Sequence, residues 1–320
     1  MRVLVLGGRG FIGRHVVRAL AIRGHAVVVG SRHAAARGGA ADVRRVRFET
    51  LAAPDAWVAL LAGIDTVVNC VGILRERPGE TYDAIHRAAP AALARACVAC
   101  GVPRLVHVSA LGLQDARHPF LTSKRRGEEA LRGLALDVTV VRPSLLDGPD
   151  GFGARWLRRA ARWPLHFVPE DALGRIAPLD VDDLAIAIAR LCEASSNSGF
   201  RVVELGGPRT RTIDAHLQAL PAGRGAGRAR TIRVPMPIAR FGARLCDLLH
   251  FSPYSMGHLE LLGRDNVPVG DDLAWWLGRA PQPVGCDMRG DNPCLAGPVA
   301  SGVPKHHRSS PAAERARHLQ

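Results

Sequence analysis

A short apolar run followed at once by a glycine-rich turn is the feature that most constrains the fold of this chain. Val3-Leu4-Val5-Leu6 leads directly into Gly7-Gly8-Arg9-Gly10-Phe11-Ile12-Gly13. Val16, Val17 and Leu20 then recur at helical spacing. The order of these three patterns predicts a buried strand, a tight turn and a helix that begins inside the turn.

The glycines of this turn suit one kind of ligand. Gly7, Gly8, Gly10 and Gly13 permit a positive φ, a close approach of the backbone to a ligand, and close packing of the helix on the sheet. The N–H groups and the partial positive charge at the helix start then face an anion. We therefore predict a dinucleotide pyrophosphate site, formed with Arg9, Phe11 and Ile12 of the same segment.

Length and composition restrict the class of protein. A chain of 320 residues with 47% hydrophobic residues suits one large α/β domain or such a domain with a smaller partner. We expect an intracellular protein, because the sequence contains no long uncharged apolar stretch and no signal-peptide pattern. The seven cysteines are scattered and odd in number, which suits a reducing compartment and argues against a disulfide framework. We predict no metal site from the cysteines and histidines.

The chain is strongly basic, and almost all of its cationic residues are arginines. The formal net charge is +14, and only Lys124 and Lys305 are lysines. Such a charge attracts nucleic acid, anionic lipid or a phosphorylated ligand. The arginines are spread along the chain without a basic run, so a compositional preference is the favoured explanation. The rarity of lysine makes Lys124 a candidate functional residue.

Apolar β-branched runs alternate with amphipathic helical patterns through the first half of the chain, which predicts an α/β fold with a doubly wound parallel sheet, the Rossmann arrangement. We predict a dinucleotide-binding core at 1–149, the remaining sheet and helix elements with a smaller substrate-side subdomain at 150–284, and a disordered tail at 285–320. An arginine-rich helix over 153–163 is expected to cover a substrate pocket. The other predicted elements are strands at 26–29, 43–48, 66–71, 105–108, 138–141 and 202–205, and helices at 57–62, 81–100, 123–134, from 182 onward and at 238–249.

The end of the second predicted strand decides which coenzyme fits. A site for NAD places an Asp or Glu about 20 residues beyond the glycines, where it binds the ribose 2′-hydroxyl. Here the chain has Gly30-Ser31-Arg32-His33, and the next carboxylate is Asp42. Guanidinium and hydroxyl groups bind a 2′-phosphate, which a carboxylate would repel. Ser31 and Arg32, with Arg9 as a second cation, therefore predict NADP(H) rather than NAD(H), the alternative being that Arg32 merely faces solvent.

Further motifs follow the later strands in the same order as in a known superfamily. With the glycine turn they give a pattern that resembles the atypical, extended branch of the short-chain dehydrogenase/reductase superfamily, whose members include epimerase- and dehydratase-like proteins. The pattern of motifs is most similar to that of the NADPH-binding accessory subunit of respiratory complex I and its bacterial relatives. The resemblance covers residues 1 to about 284 and implies that Val71, Gly72, Lys124 and Pro143 contact the coenzyme. The motifs are Asn69-Cys70-Val71-Gly72, His107-Val108-Ser109-Ala110, Arg142-Pro143-Ser144, Gly148-Pro149 and 176–184.

The chain departs from this superfamily at the catalytic pair. The family places a tyrosine four residues before a lysine, but Phe120 stands four residues before Lys124. Neither Tyr82 nor Tyr254 has the required spacing. Phenylalanine keeps the ring and lacks the proton donor, and loss of a positioned acid or base costs about 10²–10⁴ in rate. By the resemblance, Lys124 is left to hold the nicotinamide ribose and Ser109 to orient a carbonyl oxygen.

Three functional hypotheses remain open. The first is a protein of the complex-I-subunit type that holds NADPH structurally or as a redox sensor. The second is an NADP-dependent oxidoreductase or epimerase that acts on a carbonyl or alcohol of a small molecule with Lys124 and Ser109. The third is a basic protein that binds a membrane surface or nucleic acid, with nucleic acid disfavoured by the dispersed arginines. We expect a cytoplasmic location, peripheral at the inner face of a membrane if the protein joins such a complex.

Overall fold

The computed structural model describes residues 1–32, 42–48, 51, 53–195, 199–220, 229–249, 252–270 and 272–285. Its main sheet has seven strands, all paired in parallel. Their order across the sheet is β11-β6-β5-β4-β1-β2-β3. The strands are β1 (Arg2–Leu6), β2 (Ala26–Ser31), β3 (Asp42–Arg45), β4 (Thr66–Asn69), β5 (Arg104–Val108), β6 (Asp137–Pro143) and β11 (Gly199–Leu205).

Helices cover both faces of this sheet, as the alternating sequence pattern predicts. On one face α1 (Phe11–Ile22), α6 (Val181–Glu193) and α10 (Asp272–Leu277) pack against Val3 and Val5 of β1. On the other face α2 (Val58–Leu61) and α3 (Ala89–Ala99) share a core with Leu4 and Leu6, and α4 (Pro119–Ala130) contacts α3. Side chains of a strand alternate between faces, so one strand supplies both apolar cores. The predicted doubly wound α/β fold is confirmed.

The strand order places a crevice beside β1. The chain runs outward from β1 through β2 and β3 on one side, and from β4 through β11 on the other. The loops after β1 and β4 therefore diverge at the carboxyl end of the sheet. This switch point is where open α/β sheets bind their ligands.

Most predicted elements are present, but three boundaries differ in ways that concern the site. The helix predicted to begin near Ser123 begins at Pro119, because His118 caps it by accepting a hydrogen bond from the Phe120 N–H at 3.2 Å and proline suits the first helical position. Phe120 and Lys124 consequently share one helical face. The predicted long helix at 81–100 starts with a π-helical turn, Ala84–Ala88. The helix α6 begins at Val181, one residue before the predicted start, because Asp180 caps it by accepting hydrogen bonds from the Asp182 and Asp183 N–H groups.

The second part of the chain adds small ribbons and helices beside the sheet. A two-stranded ribbon of β8 (Leu165–Pro169) and β13 (Arg230–Val234) has no counterpart in the sequence-based prediction. The remaining elements are β7 (Leu146–Asp147), α5 (Phe152–Ala160), β9 (Arg175–Ile176), β10 (Leu179–Asp180), β12 (Arg211–Thr212), α7 (Ile213–Ala219), α8 (Met236–Leu249) and α9 (Met256–Leu262). Among the described residues, no helix has the length and apolar character that crossing a bilayer requires. The predicted disordered tail lies outside the described residues, apart from Gly285.

Candidate coenzyme site

The glycine turn is built as the sequence predicts. Gly7 has a φ of 71°, and its N–H donates to Gly30 O at 2.9 Å, which ties the turn to the end of β2. A Cβ on Gly13 would lie 2.2 Å from Gly7 O, so the helix approaches the turn more closely than any side chain permits. Within the described chain no side chain caps the N-terminus of α1, whose first turn lacks acidic residues. Its N–H groups therefore suit an anion such as a pyrophosphate.

A cleft opens beside this turn at the crevice between β1 and β4. Its volume is about 260 Å³. It brings together seven of the predicted coenzyme-binding residues, from the turn, the end of β2 and the loop after β4. These are Gly7, Arg9, Gly10, Ser31, Arg32, Val71 and Gly72.

The end of β2 carries the charge that distinguishes the two coenzymes. Arg32 is 55% exposed and lines the cleft, and Ser31 beside it is buried. Arg32 Nη1 donates a hydrogen bond to a carboxylate oxygen of Glu80, another residue of the cleft. The sequence prediction missed Glu80, because it lies 48 residues after Arg32 and meets it only in the folded chain.

Lys124 lies next to the loop after β4, beside Gly72 of the cleft. Its Nζ would be 3.6 Å from a Cβ placed on Gly72. Burial lowers the pKa of Lys124 to about 8, and the nearby Glu128 carboxylate opposes that shift. Lysine at this position can donate hydrogen bonds into the cleft and can also release a proton near neutral pH.

Two neutral histidines hold the loop around Gly72 in place. His86 Nε2 accepts a hydrogen bond from the Ile73 N–H at 3.1 Å, so the ring proton lies on Nδ1, which donates to Ser123 Oγ at 2.9 Å. His107 Nδ1 accepts from Asn69 Nδ2 at 3.1 Å. Burial, and then the charge of Lys124, lowers the pKa of both imidazoles, to about 2 for His86 and about 3 for His107. Neither histidine is a candidate general base at neutral pH.

The ring of Phe120 is enclosed where the family's phenol would stand. It is 6% exposed, and its centroid lies 5.9 Å from Lys124 Nζ. The rings of Tyr82, His86 and His258 lie 5.7–5.9 Å from it. The sequence spacing excluded Tyr82 from the catalytic position, and the Tyr82 hydroxyl donates to Leu74 O at 3.0 Å. Tyr82 and His258 are neighbours of the site that the sequence did not reveal, since each comes from a distant segment.

Ser109 lies at the end of β5 with a buried hydroxyl. Its N–H donates to Val141 O at 2.7 Å, while its Oγ has no hydrogen-bond partner among the described residues. A buried hydroxyl without a partner costs free energy, so its presence points to a ligand that completes it. With the uncapped start of α1 and the cation at the end of β2, the residues fit a bound dinucleotide.

Five other predicted coenzyme residues are not among those that line the cleft. Gly8 and Gly13 are buried, and Pro143 pairs with Leu205 in the sheet. The Phe11 ring packs against Gly148 and Gly151, where an added Cβ would come within 2.9 Å. Ile12 is packed against the core on the α1 face. Their direct contact with coenzyme stays a prediction. No group of three or more metal-binding side chains occurs within the described ranges.

Comparisons with known proteins agree with this site. A family model described as NAD(P)H-binding matches residues 7–165. Over 226 residues the chain is 31% identical to subunit 9 of the NADH dehydrogenase (ubiquinone) 1 alpha subcomplex of Dictyostelium discoideum, covering 68% of this chain and 62% of that one. Over 196 residues it is 32% identical to a ceramide reductase of Caulobacter vibrioides, covering 59% and 60%. The matched segments thus span about three fifths of those relatives' lengths.

A solved structure supports the fold as well. The Bacillus cereus UDP-glucuronic acid 4-epimerase, in complex with UDP-glucuronic acid and NAD, aligns with a TM-score of 0.61 at 15% identity, covering 88% of this chain and 94% of that one. The family model and the relatives place the chain in the NAD(P)H-binding, atypical short-chain dehydrogenase/reductase family, and the solved structure agrees with its fold.

Proposed function

We propose that the protein holds NADP(H) in this cleft as a structural or redox-sensing cofactor within a larger assembly of the respiratory type. The observation that carries the proposal is the enclosed ring of Phe120 beside Lys124. The chain has the glycine turn and the lysine of the family's pattern, while Phe120, which cannot donate a proton, stands in place of the tyrosine. Similarity to complex I subunits from Dictyostelium, Arabidopsis and Neurospora supports membership in such an assembly.

The preference for NADP(H) over NAD(H) rests on Arg32 and Ser31 at the end of β2. A guanidinium that binds a phosphate contributes about 1.5–3 kcal/mol, because the hydrogen bonds are charge-assisted. Arg32→Ala should therefore weaken NADPH roughly tenfold to a hundredfold and leave NADH nearly unchanged. Arg18→Ala is a matched control. It removes the same charge from an exposed residue of α1, about two turns from the start of that helix. Calorimetric titration measures both affinities, and equal losses for the two coenzymes would contradict the 2′-phosphate argument.

Native mass spectrometry of the purified protein tests the holding role. We expect one NADP(H) molecule to remain bound after desalting. Calorimetry on folded protein that gave no heat with either coenzyme in either redox state would refute the proposal.

A second candidate function is NADP-dependent reduction of a carbonyl or oxidation of an alcohol. The buried hydroxyl of Ser109, which has no hydrogen-bond partner in the described part of the chain, favours it, together with Lys124 at Gly72. The similarity to a protein named ceramide reductase agrees with it. Bound NADPH would supply a hydride to the carbonyl carbon. Ser109 Oγ–H would donate a hydrogen bond to the carbonyl oxygen, and the Lys124 ammonium would release the proton that this oxygen takes up.

Phe120→Tyr separates the two candidates. If the site is arranged for carbonyl chemistry, restoring a phenol one helical turn before Lys124 should raise carbonyl reduction by about 10²-fold or more. The double variant Phe120→Tyr/Lys124→Met should lose that gain. A variant that binds NADPH normally and gains no activity would exclude the enzymatic candidate in this form.

We also propose that the protein meets an anionic membrane surface through α8. The helix buries Ala239, Ala243 and Cys246, while the apolar side chains of its other face are exposed, Phe241 by 69% and Leu248 by 74%. Arg240 and Arg244 are exposed on the same helix. An apolar face with flanking cations suits the interface of an anionic bilayer, and the net charge of +14 adds to the attraction.

Vesicle flotation tests this surface. The protein should bind vesicles of equal parts phosphatidylglycerol and phosphatidylcholine, and it should bind less at high salt. Phe241→Glu/Leu248→Glu should abolish binding, whereas Leu173→Glu/Val269→Glu, which alters two exposed apolar residues elsewhere, should retain it. Equal binding by both double variants, or binding to DNA with the same salt dependence and none to vesicles, would reject α8 as a membrane contact.

A further inference from the structure

The cleft contains both of the groups that proteins use to tell the two coenzymes apart. Arg32 is the cation that suits a 2′-phosphate, and Glu80 is a carboxylate of the kind that binds a ribose 2′-hydroxyl. The two side chains form an ion pair with each other. The Glu80 side chain is only 16% exposed, and Glu80 lines the cleft.

The backbone holds Glu80 in this position. Its N–H donates to Arg77 O at 2.8 Å, and the Arg77 N–H donates back to Glu80 O at 3.1 Å. Gly79 closes this tight turn with a φ of 82°, a value that favours glycine. Arg32, by contrast, is a long and largely exposed side chain at the end of a strand. Of the two partners, Arg32 is therefore the one that can change its hydrogen bonds when a ligand arrives.

We propose that Glu80 determines how strongly the cleft distinguishes NADP(H) from NAD(H). Its carboxylate accepts a hydrogen bond from the 2′-hydroxyl of NAD(H) and repels the 2′-phosphate of NADP(H). Arg32 exchanges its carboxylate partner for the phosphate when NADP(H) binds. The inference rests on the proposed placement of the coenzyme's 2′-position at the end of β2. It adds that NAD(H) is a second ligand of the same cleft, held by a residue outside the glycine turn and β2.

The charge-neutral variant Glu80→Gln gives the two coenzymes opposite responses. NADPH should bind about tenfold more tightly, because the repulsion and the competition for Arg32 are both removed. NADH should bind several-fold more weakly, because an amide oxygen is a poorer acceptor than a carboxylate. Calorimetric titration with each coenzyme, at low and high salt, measures both effects, and the gain for NADPH should shrink as salt screens the charges.

Two control variants isolate the role of the carboxylate. Glu129→Gln removes the same charge from an exposed pair with Arg125 on α4 and should change neither affinity. Glu80→Asp keeps the charge and should keep the native ratio of the two affinities within about threefold, the range expected of a weakened, partly exposed pair. Glu80→Asp also tests the proposal if Glu80→Gln does not fold. A reversal of the ratio of NADPH to NADH affinity in Glu80→Asp would overturn the proposal.

The outcomes for Glu80 and for Arg32 are distinguishable. Affinities that move together or do not move in Glu80→Gln overturn the role of Glu80 and leave the NADP(H) argument standing on Arg32→Ala. If Arg32→Ala weakens both coenzymes equally, the proposed 2′-phosphate site fails even where Glu80→Gln weakens NADH. The effect of Glu80→Gln on NADPH affinity should be smaller in the Arg32→Ala background than in the native protein, because the cation that Glu80→Gln releases is missing from the double variant. A double variant that retains the full gain would contradict the exchange of partners.

Discussion

Replacement of Gly13 by alanine tests the geometry on which the whole coenzyme site depends. The added methyl would lie 2.2 Å from Gly7 O and 2.7 Å from Gly7 C. Carbon atoms in contact prefer about 3.5–4.0 Å, so the turn and the helix must separate by about 1 Å. Such overpacking costs about 1–3 kcal/mol, and the better helix propensity of alanine returns at most about 1 kcal/mol. We expect a net loss of up to about 3 kcal/mol in the free energy of unfolding.

The effect of Gly13→Ala on coenzyme affinity should exceed its effect on the free energy of unfolding. Displacement of the turn moves the N–H groups out of hydrogen-bond reach of a pyrophosphate, and loss of one charge-assisted bond costs about 1.5–3 kcal/mol. Gly13→Ala should thus weaken NADPH roughly tenfold to a hundredfold by calorimetry. Gly242→Ala is the matched control, because a Cβ there meets nothing within 4 Å inside the helix α8. In Gly242→Ala the free energy of unfolding should increase by up to about 1 kcal/mol, and NADPH should bind normally. Affinity of Gly13→Ala within about threefold of native would refute the close-approach argument.

Two further predictions concern buried charges. Burial lowers the pKa of Lys124 from 10.5 to about 8. The affinity for NADPH, measured by fluorescence titration, should therefore fall as pH rises through about 8. Lys124→Met should remove this pH dependence. Lys124 loses its proton at a lower pH in the folded protein than in the unfolded chain. The free energy of unfolding of the native protein should therefore rise, relative to that of Lys124→Met, as pH rises from about 8 toward 10.5. Parallel curves of stability against pH for the two proteins would disprove this linkage. Arg104 pairs with the buried Asp137 at 2.9 Å, and Arg104→Met should cost about 3–5 kcal/mol in urea unfolding, because it removes a cation paired with a buried carboxylate. Arg125→Met, at an exposed pair, should cost less than about 1 kcal/mol, and similar losses in the two variants would contradict the burial argument.

Local patterns in the sequence were sufficient to predict the core of the fold. The apolar β-branched strands and the glycine turn act within a few residues of each other, so their spacing alone predicted the parallel sheet and the coenzyme crevice. The turn, the end of β2 and the loop after β4 were likewise predicted, and Gly7, Arg32 and Gly72 lie together in the cleft. The start of α4 was misplaced by four residues, because the capping role of His118 and Pro119 was not recognised.

The surroundings of these residues depended on contacts between distant segments. The sequence by itself determined that a cation stands at the end of β2 and that Phe120 replaces a phenol one turn before Lys124. Only the tertiary structure decided that Glu80 pairs with that cation and that His258 and Tyr82 enclose the phenylalanine ring. The physical reason is chain connectivity. Hydrogen bonding and apolar periodicity within a segment are local, whereas a partner separated by 48 residues is brought close only by the packing of the complete sheet and its helices.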